Sequence, residues 1–142
     1  MLNFNISWGH VAALAVANFL LSWAWYSPAL FYKPWMMGLG KDPNRDMKDM
    51  TEAEKKMMPI LMANGLVASF IKVWVLAVLV LSLGAPSFMA GAVIGLLVWF
   101  GLTLTASLDT LWEGRKALVL VVNNGLFILT YMAFAGILAA WR

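Results

Sequence analysis

A chain of 142 residues that is 63% hydrophobic and only 12% charged, with a mean hydropathy of +0.81, has too few polar side chains to cover a water-exposed globule of its size. The absence of cysteine excludes disulfides, thiolate catalysis and Cys-ligated metals, and a lone histidine, His10, excludes a site built from several imidazoles of one chain. The net charge of +3 is small, and no Lys/Arg cluster is interleaved with stacking aromatics, so the expected partner is the lipid bilayer and not a nucleic acid.

Four apolar segments are long enough to cross the roughly 30 Å hydrocarbon layer, which takes about 20 helical residues. They run over about 8–26, 59–83, 88–108 and 117–141, and none alternates like a strand. Met1 to Ser7 carry no Lys or Arg, so the first run reads as a span and not as a cleaved signal. The expected fold is an all-α membrane protein, one domain over 1–142, with four transmembrane helices in an antiparallel bundle. The short connections at 84–87 and 110–116 require antiparallel neighbours.

The first span carries a small-residue stripe, Gly9, Ala13 and Ala17, and one amide, Asn18. It closes on Trp23-Ala24-Trp25-Tyr26-Ser27-Pro28, followed by Phe31, Lys33 and Trp35. Trp25, Tyr26, Pro28, Trp35 and, at the next inner loop, Trp112 are expected to anchor the headgroup layer, because each large ring has an apolar body and a polar edge. The loop over 33–58 is expected to hold a short amphipathic helix on the cytoplasmic surface. Asp42-Pro43-Asn44 reads as a turn, Thr51 and Glu54 as a capping box, and Glu52 with Lys56 as an i,i+4 pair. Met36, Met37, Met47, Met50, Met57 and Met58 lie among these charges, suited to the inner leaflet or to a partner surface.

Lys72, deep in the second span, is the most informative residue. It lies about 20 Å from the cytoplasmic end, where an ammonium costs roughly 2.5–3.5 kcal/mol to insert. Asn64, Gly65, Ala68, Ser69 and Lys72 share one helical strip, which predicts an interior face. Asn18 stands at the same depth, so Asn18 and Ser69 are the expected hydrogen-bond partners of Lys72. The alternative is a snorkelling lysine. Asp109 belongs at the cytoplasmic boundary, too far for an ion pair. Asn64, Asn123, Asn124, Thr103, Thr105 and Ser22 make a second polar layer, read mainly as cross-links between helices.

In the third span Gly91 and Gly95, and in the fourth Gly136 and Ala140, mark further contact faces. Three such stripes exceed what one small bundle needs, which predicts a homo-oligomer or other membrane subunits as partners. Asp109, Glu113 and Arg115 form a cytoplasmic lip, with a local Glu113–Arg115 or Asp109–Lys33 contact expected. His10 is expected to hydrogen-bond near the outer surface. Asn64-Gly65-Leu66 recurs as Asn124-Gly125-Leu126, a hint of two duplicated hairpins. The loops after the first and third spans hold Lys33, Lys41, Arg45, Lys48, Lys55, Lys56, Arg115 and Lys116, whereas the other side has Arg142 and the N-terminal amine. This asymmetry predicts both loops in the cytoplasm and both termini outside.

The run Trp25-Tyr26-Ser27-Pro28-x-x-Phe31-x-Lys33-x-Trp35, with Leu111-Trp112-Glu113-Gly114-Arg115 and an Asn-Gly in the last span, resembles the DUF1761 family of small bacterial membrane proteins. The resemblance extends over nearly the whole chain. It implies four spans and a bacterial inner-membrane location, and it brings no activity with it. The residues show no nucleophile–base pair, paired carboxylates, metal cluster or phosphate loop, so neither catalysis nor a cofactor is expected. The leading expectation is a non-catalytic membrane module that packs into a homo-oligomer or larger complex. The alternative is a transporter or channel for an anionic or zwitterionic small molecule bound near Lys72.

Overall fold

Hydrocarbon offers backbone groups no partner, so a chain this apolar satisfies them within helices. The computed structural model describes residues 1–141 and is all-helical among them: α1 (Trp8–Trp25), α2 (Tyr32–Gly38), α3 (Glu52–Ser82), α4 (Phe88–Leu111) and α5 (Ala117–Ala140). Arg142, assigned above to the outer side, and the side chain of Met47, assigned to the Met-rich stretch, lie outside the described residues. Three helices, α3, α4 and α5, are long and apolar enough to cross a membrane. The 18-residue α1 is not among them, since His10, Asn18 and Ser22 lower its hydropathy.

The tightest contact is the seam between α4 and α5. A Cβ on Gly91 would run into the carbonyl of Ala135, and one on Gly95 into the carbonyl of Tyr131. Only glycine allows that approach. Rising numbers on α4 meet falling numbers on α5, so the two run in opposite directions. Gly136 in turn accepts the Phe88 ring. The α1–α3 pair is likewise opposed, with Asn3 N–H donating to Ser82 Oγ (2.7 Å) at one end and Asn18 Nδ2 donating to Ser69 Oγ (2.6 Å) midway. The core, including Val11, Leu14, Val73, Leu76, Phe134 and Ala135, gathers where the first half of α1 meets the second halves of α3 and α5. Below Ser69 the first half of α3 is almost wholly exposed. The bundle is therefore tight at one end and splayed at the other.

The loop between α1 and α3 departs from the single amphipathic helix expected. It contains the short α2, a 3₁₀ turn at Met47–Asp49 and the first turns of α3. Gly40 interrupts the pattern by adopting φ +70, a conformation that suits glycine, whereas Pro34 sits within the first turn of α2, where no helical N–H partner is lost. The buried Gly38 brings α2 onto α5, where a Cβ would meet Val119 Cγ2 at 2.6 Å. Thr51 and Glu54 form the expected capping box at the start of α3. Glu52 pairs with Lys55 (2.8 Å), one residue nearer than the Lys56 expected, because i,i+3 neighbours also share a helix face.

Replacing Gly95 with leucine forces α4 off α5. Thermal or denaturant unfolding in detergent is expected to show a loss of at least about 1–3 kcal/mol. Gly101→Ala, with open space around the added carbon, is expected not to destabilise.

Candidate functional site

The splayed half of the bundle leaves an open cavity of about 500 Å³ between α1, α3, α4 and α5. Its walls are mostly aromatic: Phe19 and Trp23 from α1, Tyr26 just beyond it, and Phe127 and Tyr131 from α5. Lys72 is its charged group, and Asn18, Ser22, Ser69 and Thr103 supply further polar side chains. A smaller space of about 390 Å³ flanks the other side of α3 and also touches Lys72, Thr103 and Tyr131. Lys72 thus stands between two spaces, at the point where the packed core gives way to the cavity.

The Lys72 Nζ donates to Thr130 Oγ1 at 3.0 Å and lies 5.2 Å from the Tyr131 ring centroid and 5.9 Å from that of Phe127. Ring faces attract a cation through their quadrupole but do not neutralise it. No carboxylate pairs with Lys72 among the described residues. The side chain is therefore interior, as the strip predicts, but its partner is not the expected one. Asn18 and Ser69 bond to each other, and the oxygen that reaches Lys72 belongs to Thr130. The sequence held a signal for this. Thr130 precedes the end of α5 by as much as Lys72 precedes the end of α3, and Phe127, Thr130 and Tyr131 share one helix face.

Asn18 is 3% exposed, and while its Nδ2 is engaged by Ser69, its Oδ1 has no hydrogen-bond partner among the described residues. Asn64, expected in the same interior strip, is exposed on the splayed part of α3 and is not on the cavity wall. With few neighbours there, helical spacing alone does not decide what a residue faces.

Of the second polar layer, Asn123 and Asn124 act as the cross-links expected. Asn124 accepts from Trp99 Nε1 (3.0 Å) through Oδ1 and donates to Ser107 Oγ (2.9 Å), and so bridges from the start of a π-helical turn at Trp99–Leu104 to the α-helical turn that follows it. That wide turn brings Thr103 to the cavity, and such insertions are frequent at functional sites. Asn123 accepts from the Tyr26 hydroxyl (2.8 Å), and Trp25 Nε1 donates to the carbonyl of Val122 (3.1 Å). A Cβ on Gly125 would stand 3.1 Å from the Trp25 ring. Trp25 and Tyr26, expected as headgroup anchors, therefore tie α1 to α5. Thr105 and Ser22 donate to carbonyls of their own helices.

Of the remaining anchors, Trp35 meets Tyr26 in a tilted contact with ring centres 5.0 Å apart, Pro28 is exposed and Trp112 projects at 93% exposure. At the lip Glu113 pairs with Arg115 (3.1 Å), one of the two contacts expected. Asp109 is exposed and makes no ion pair with Lys33 among the described residues. His10 stacks on Trp141 at 4.0 Å in place of the hydrogen bond expected. Of the small-residue stripes, Gly91, Gly95 and Gly136 are buried inside the chain, whereas Gly9, Ala13 and Ala17 face outward with nothing near a Cβ on Gly9.

On the loop side Arg45 grips Glu54 through both guanidinium nitrogens (2.9 and 2.5 Å), and the Tyr32 hydroxyl donates to the Arg45 carbonyl (2.8 Å). The Arg45 guanidinium and the donors of Thr51 hold the Glu54 carboxyl down at about 2, and Glu54 raises Arg45 in return.

A family model described as a protein of unknown function, DUF1761, matches residues 10–139. No curated protein and no solved structure matches the chain.

The depressed Glu54 carboxyl predicts a pH response of the loop. Its stabilising contribution is fully present above its ordinary value of 4.5 and is lost as the pH falls through about 2. Hydrogen exchange of residues 45–54, corrected for its intrinsic pH dependence, is expected to accelerate across that window. Glu54→Gln is expected to exchange fast and independently of pH throughout it.

Proposed function

We propose that this chain, which belongs to the DUF1761 family, is a four-span integral membrane protein that binds the anionic group of a small amphipathic molecule at Lys72. In this reading α1 crosses beside α3, α4 and α5 as an antiparallel bundle. Its length of about 27 Å and its contacts with α3 and α5 support that role. The Lys/Arg asymmetry supports cytoplasmic loops at 33–58 and 110–116, with both termini outside the bacterial inner membrane. The splayed end of the bundle then faces the cytoplasm. The loop after α1 rests on the inner surface through α2 and the Met-rich turns.

One observation carries the binding role: an ammonium at the head of a cavity, offset only by a hydroxyl and two ring faces. A lysine kept for packing alone adds insertion cost with no return, since an apolar side chain would fill the same space. A lysine that meets an anion recovers Coulomb energy in a low-dielectric site. The cavity size lies within the roughly 300–1,000 Å³ of ligand pockets, and its walls have the apolar lining with few polar groups typical of them. The chemistry required is recognition and passage, with no bond made or broken, so the protein is a carrier or receptor and not an enzyme.

Laurate brominated near its chain end provides a probe, because bromine quenches the fluorescence of the wall residue Trp23, and Trp23→Phe assigns the signal. Lys72→Met is expected to weaken binding roughly tenfold to a hundredfold, corresponding to the about 1.5–3 kcal/mol of a charged hydrogen bond. Lys72→Arg is expected to retain binding. Equal quenching of the Lys72→Met variant and the unmodified protein overturns the reading.

The outward face of α1 favours a second role, self-association. Gly9, Ala13 and Ala17 offer an exposed, backbone-close surface, with nothing among the described residues near a Cβ on Gly9. The natural sequence lacks cysteine, so Ala13→Cys is expected to form a disulfide-linked dimer in membranes on mild oxidation, and Val93→Cys, exposed on α4, is not. Monomer only from Ala13→Cys, with native mass spectrometry agreeing, removes this role.

A further inference from the structure

The two spaces at Lys72 lie at different depths. The larger runs along α3 from Leu61 to Lys72, the smaller along α3 from Ala68 to Leu76 and along α4 from Thr103 back to Val98. On both of its helices the smaller space therefore extends toward the end where α3 turns into α4, and the larger extends toward the opposite end. From Leu61 to Leu76 α3 rises roughly 22 Å, which is most of the roughly 30 Å hydrocarbon layer. Ala68, Lys72, Thr103 and Tyr131 border both spaces, so their side chains are what part the two.

That partition carries polar groups still free to bond. Of the five threonines, Thr51, Thr105, Thr110 and Thr130 donate their hydroxyls to nearby oxygens, and Thr103 alone has no partner among the described residues. Of the three tyrosines, Tyr26 and Tyr32 donate theirs, and the Tyr131 hydroxyl has no partner among the described residues. The Asn18 Oδ1 is shut away from the surface, but the Thr103 and Tyr131 oxygens are not, on side chains that are half-buried. The Tyr131 ring lies 5.2 Å from the Lys72 Nζ, whose one hydrogen bond among the described residues is to Thr130.

Both spaces also open sideways into lipid. Trp23 and Leu61 border the larger, Ile71 and Leu102 the smaller, and each of the four is more than half exposed. An alkyl chain can therefore stay in hydrocarbon while a polar head moves inside the bundle. For that head the costly point is mid-bilayer, where an unpaired charge is least tolerated. Lys72 stands at that point, and an opposite charge there offsets the cost.

We infer that the two spaces are halves of one path across the bilayer, along which the anionic head of a single-chain amphipathic molecule passes Lys72 while its apolar body stays in lipid. This inference rests on the binding role proposed for Lys72 and makes that site the midpoint of a route.

The intact protein in phosphatidylcholine vesicles tests it. The probe is a twelve-carbon alkyl sulfonate, an anion at every working pH, with the fluorophore NBD at its chain end. Dithionite added outside bleaches the label in the outer leaflet, and the protected label then decays as the probe crosses. The protein is expected to speed that decay at least about tenfold over protein-free vesicles. Lys72→Met is expected to return it to the protein-free rate and Lys72→Arg to keep it. The matching alkyl trimethylammonium is expected not to be speeded. Val75→Phe, or Val98→Phe on the facing wall, narrows the smaller space alone and is expected to slow the sulfonate severalfold without changing the quenching of Trp23 by brominated laurate. No acceleration, equal acceleration of the cation, or full speed in both phenylalanine variants overturns the path. If quenching of Trp23 still depends on Lys72 in the same vesicles, the binding role stands without the path. If that dependence is also absent, both fall.

Discussion

The contact on which the rest of this fold depends is the backbone-to-backbone approach of α4 to α5 at Gly91 and Gly95. Side chains here would meet carbonyls, not other side chains, so no repacking could replace glycine without moving a whole helix. Helices drawn that close leave little room for α3 between them. α3 instead packs against α1 and α5, and does so only from Ser69 onward. The cavity is the geometric remainder. One pair of helices is pinned by glycine, a third lies across them, and the wedge opened below Ser69 is lined by the aromatic side chains that reach into it.

That geometry explains why a charge is tolerated where it is. A lysine on the lipid face of a helix this deep would have only its own stem with which to reach water. At the apex of the wedge, Lys72 has a hydroxyl from Thr130 and the faces of Tyr131 and Phe127. These reduce the insertion cost without cancelling the charge. Asn18 also lines the cavity, with its Nδ2 held by Ser69 and its Oδ1 buried and without a partner among the described residues. The Lys72 ammonium is left without a carboxylate among the described residues, whereas the Asn123 and Asn124 amides are satisfied by ties within the chain.

Much of this was legible in the sequence. The helical class, the apolar segments that became α3, α4 and α5, the cap at Thr51 and Glu54, the interior position of Lys72 and the close approach at Gly91 and Gly95 all follow from residue type and period. What escaped was whatever depends on how far apart helices stand. The strip from Asn64 to Lys72 has one period but two fates, because α3 is packed at Ser69 and bare at Asn64. Trp25 and Tyr26 carry the composition of a headgroup belt. Yet Gly125 and Asn123 on a helix about a hundred residues later in sequence turn them inward, and only the fold brings these together. The π turn at Trp99–Leu104 is bracketed by hydrogen bonds from Trp99 and Ser107 to the Asn124 amide on α5, a tie that cannot be read from α4 alone.

The restraints on α3 lead to the last step. Its start is gripped by the Arg45–Glu54 pair, with Tyr32 holding Arg45 from α2. Its far half is fixed in the core from Ser69 to Val80. Between these two anchors, Pro59 to Ala68 has scarcely any packing from its own chain, and Ile60, Leu61 and Val67 are each more than half exposed. In water such a stretch would be an aggregation hazard. In hydrocarbon it has no driving force to close against α1, because lipid chains satisfy leucine and isoleucine as well as another helix does. The apolar solvent that makes the fold feasible therefore also removes the force that would seal the wedge. The wedge beside Lys72 stays open without any residue dedicated to holding it so.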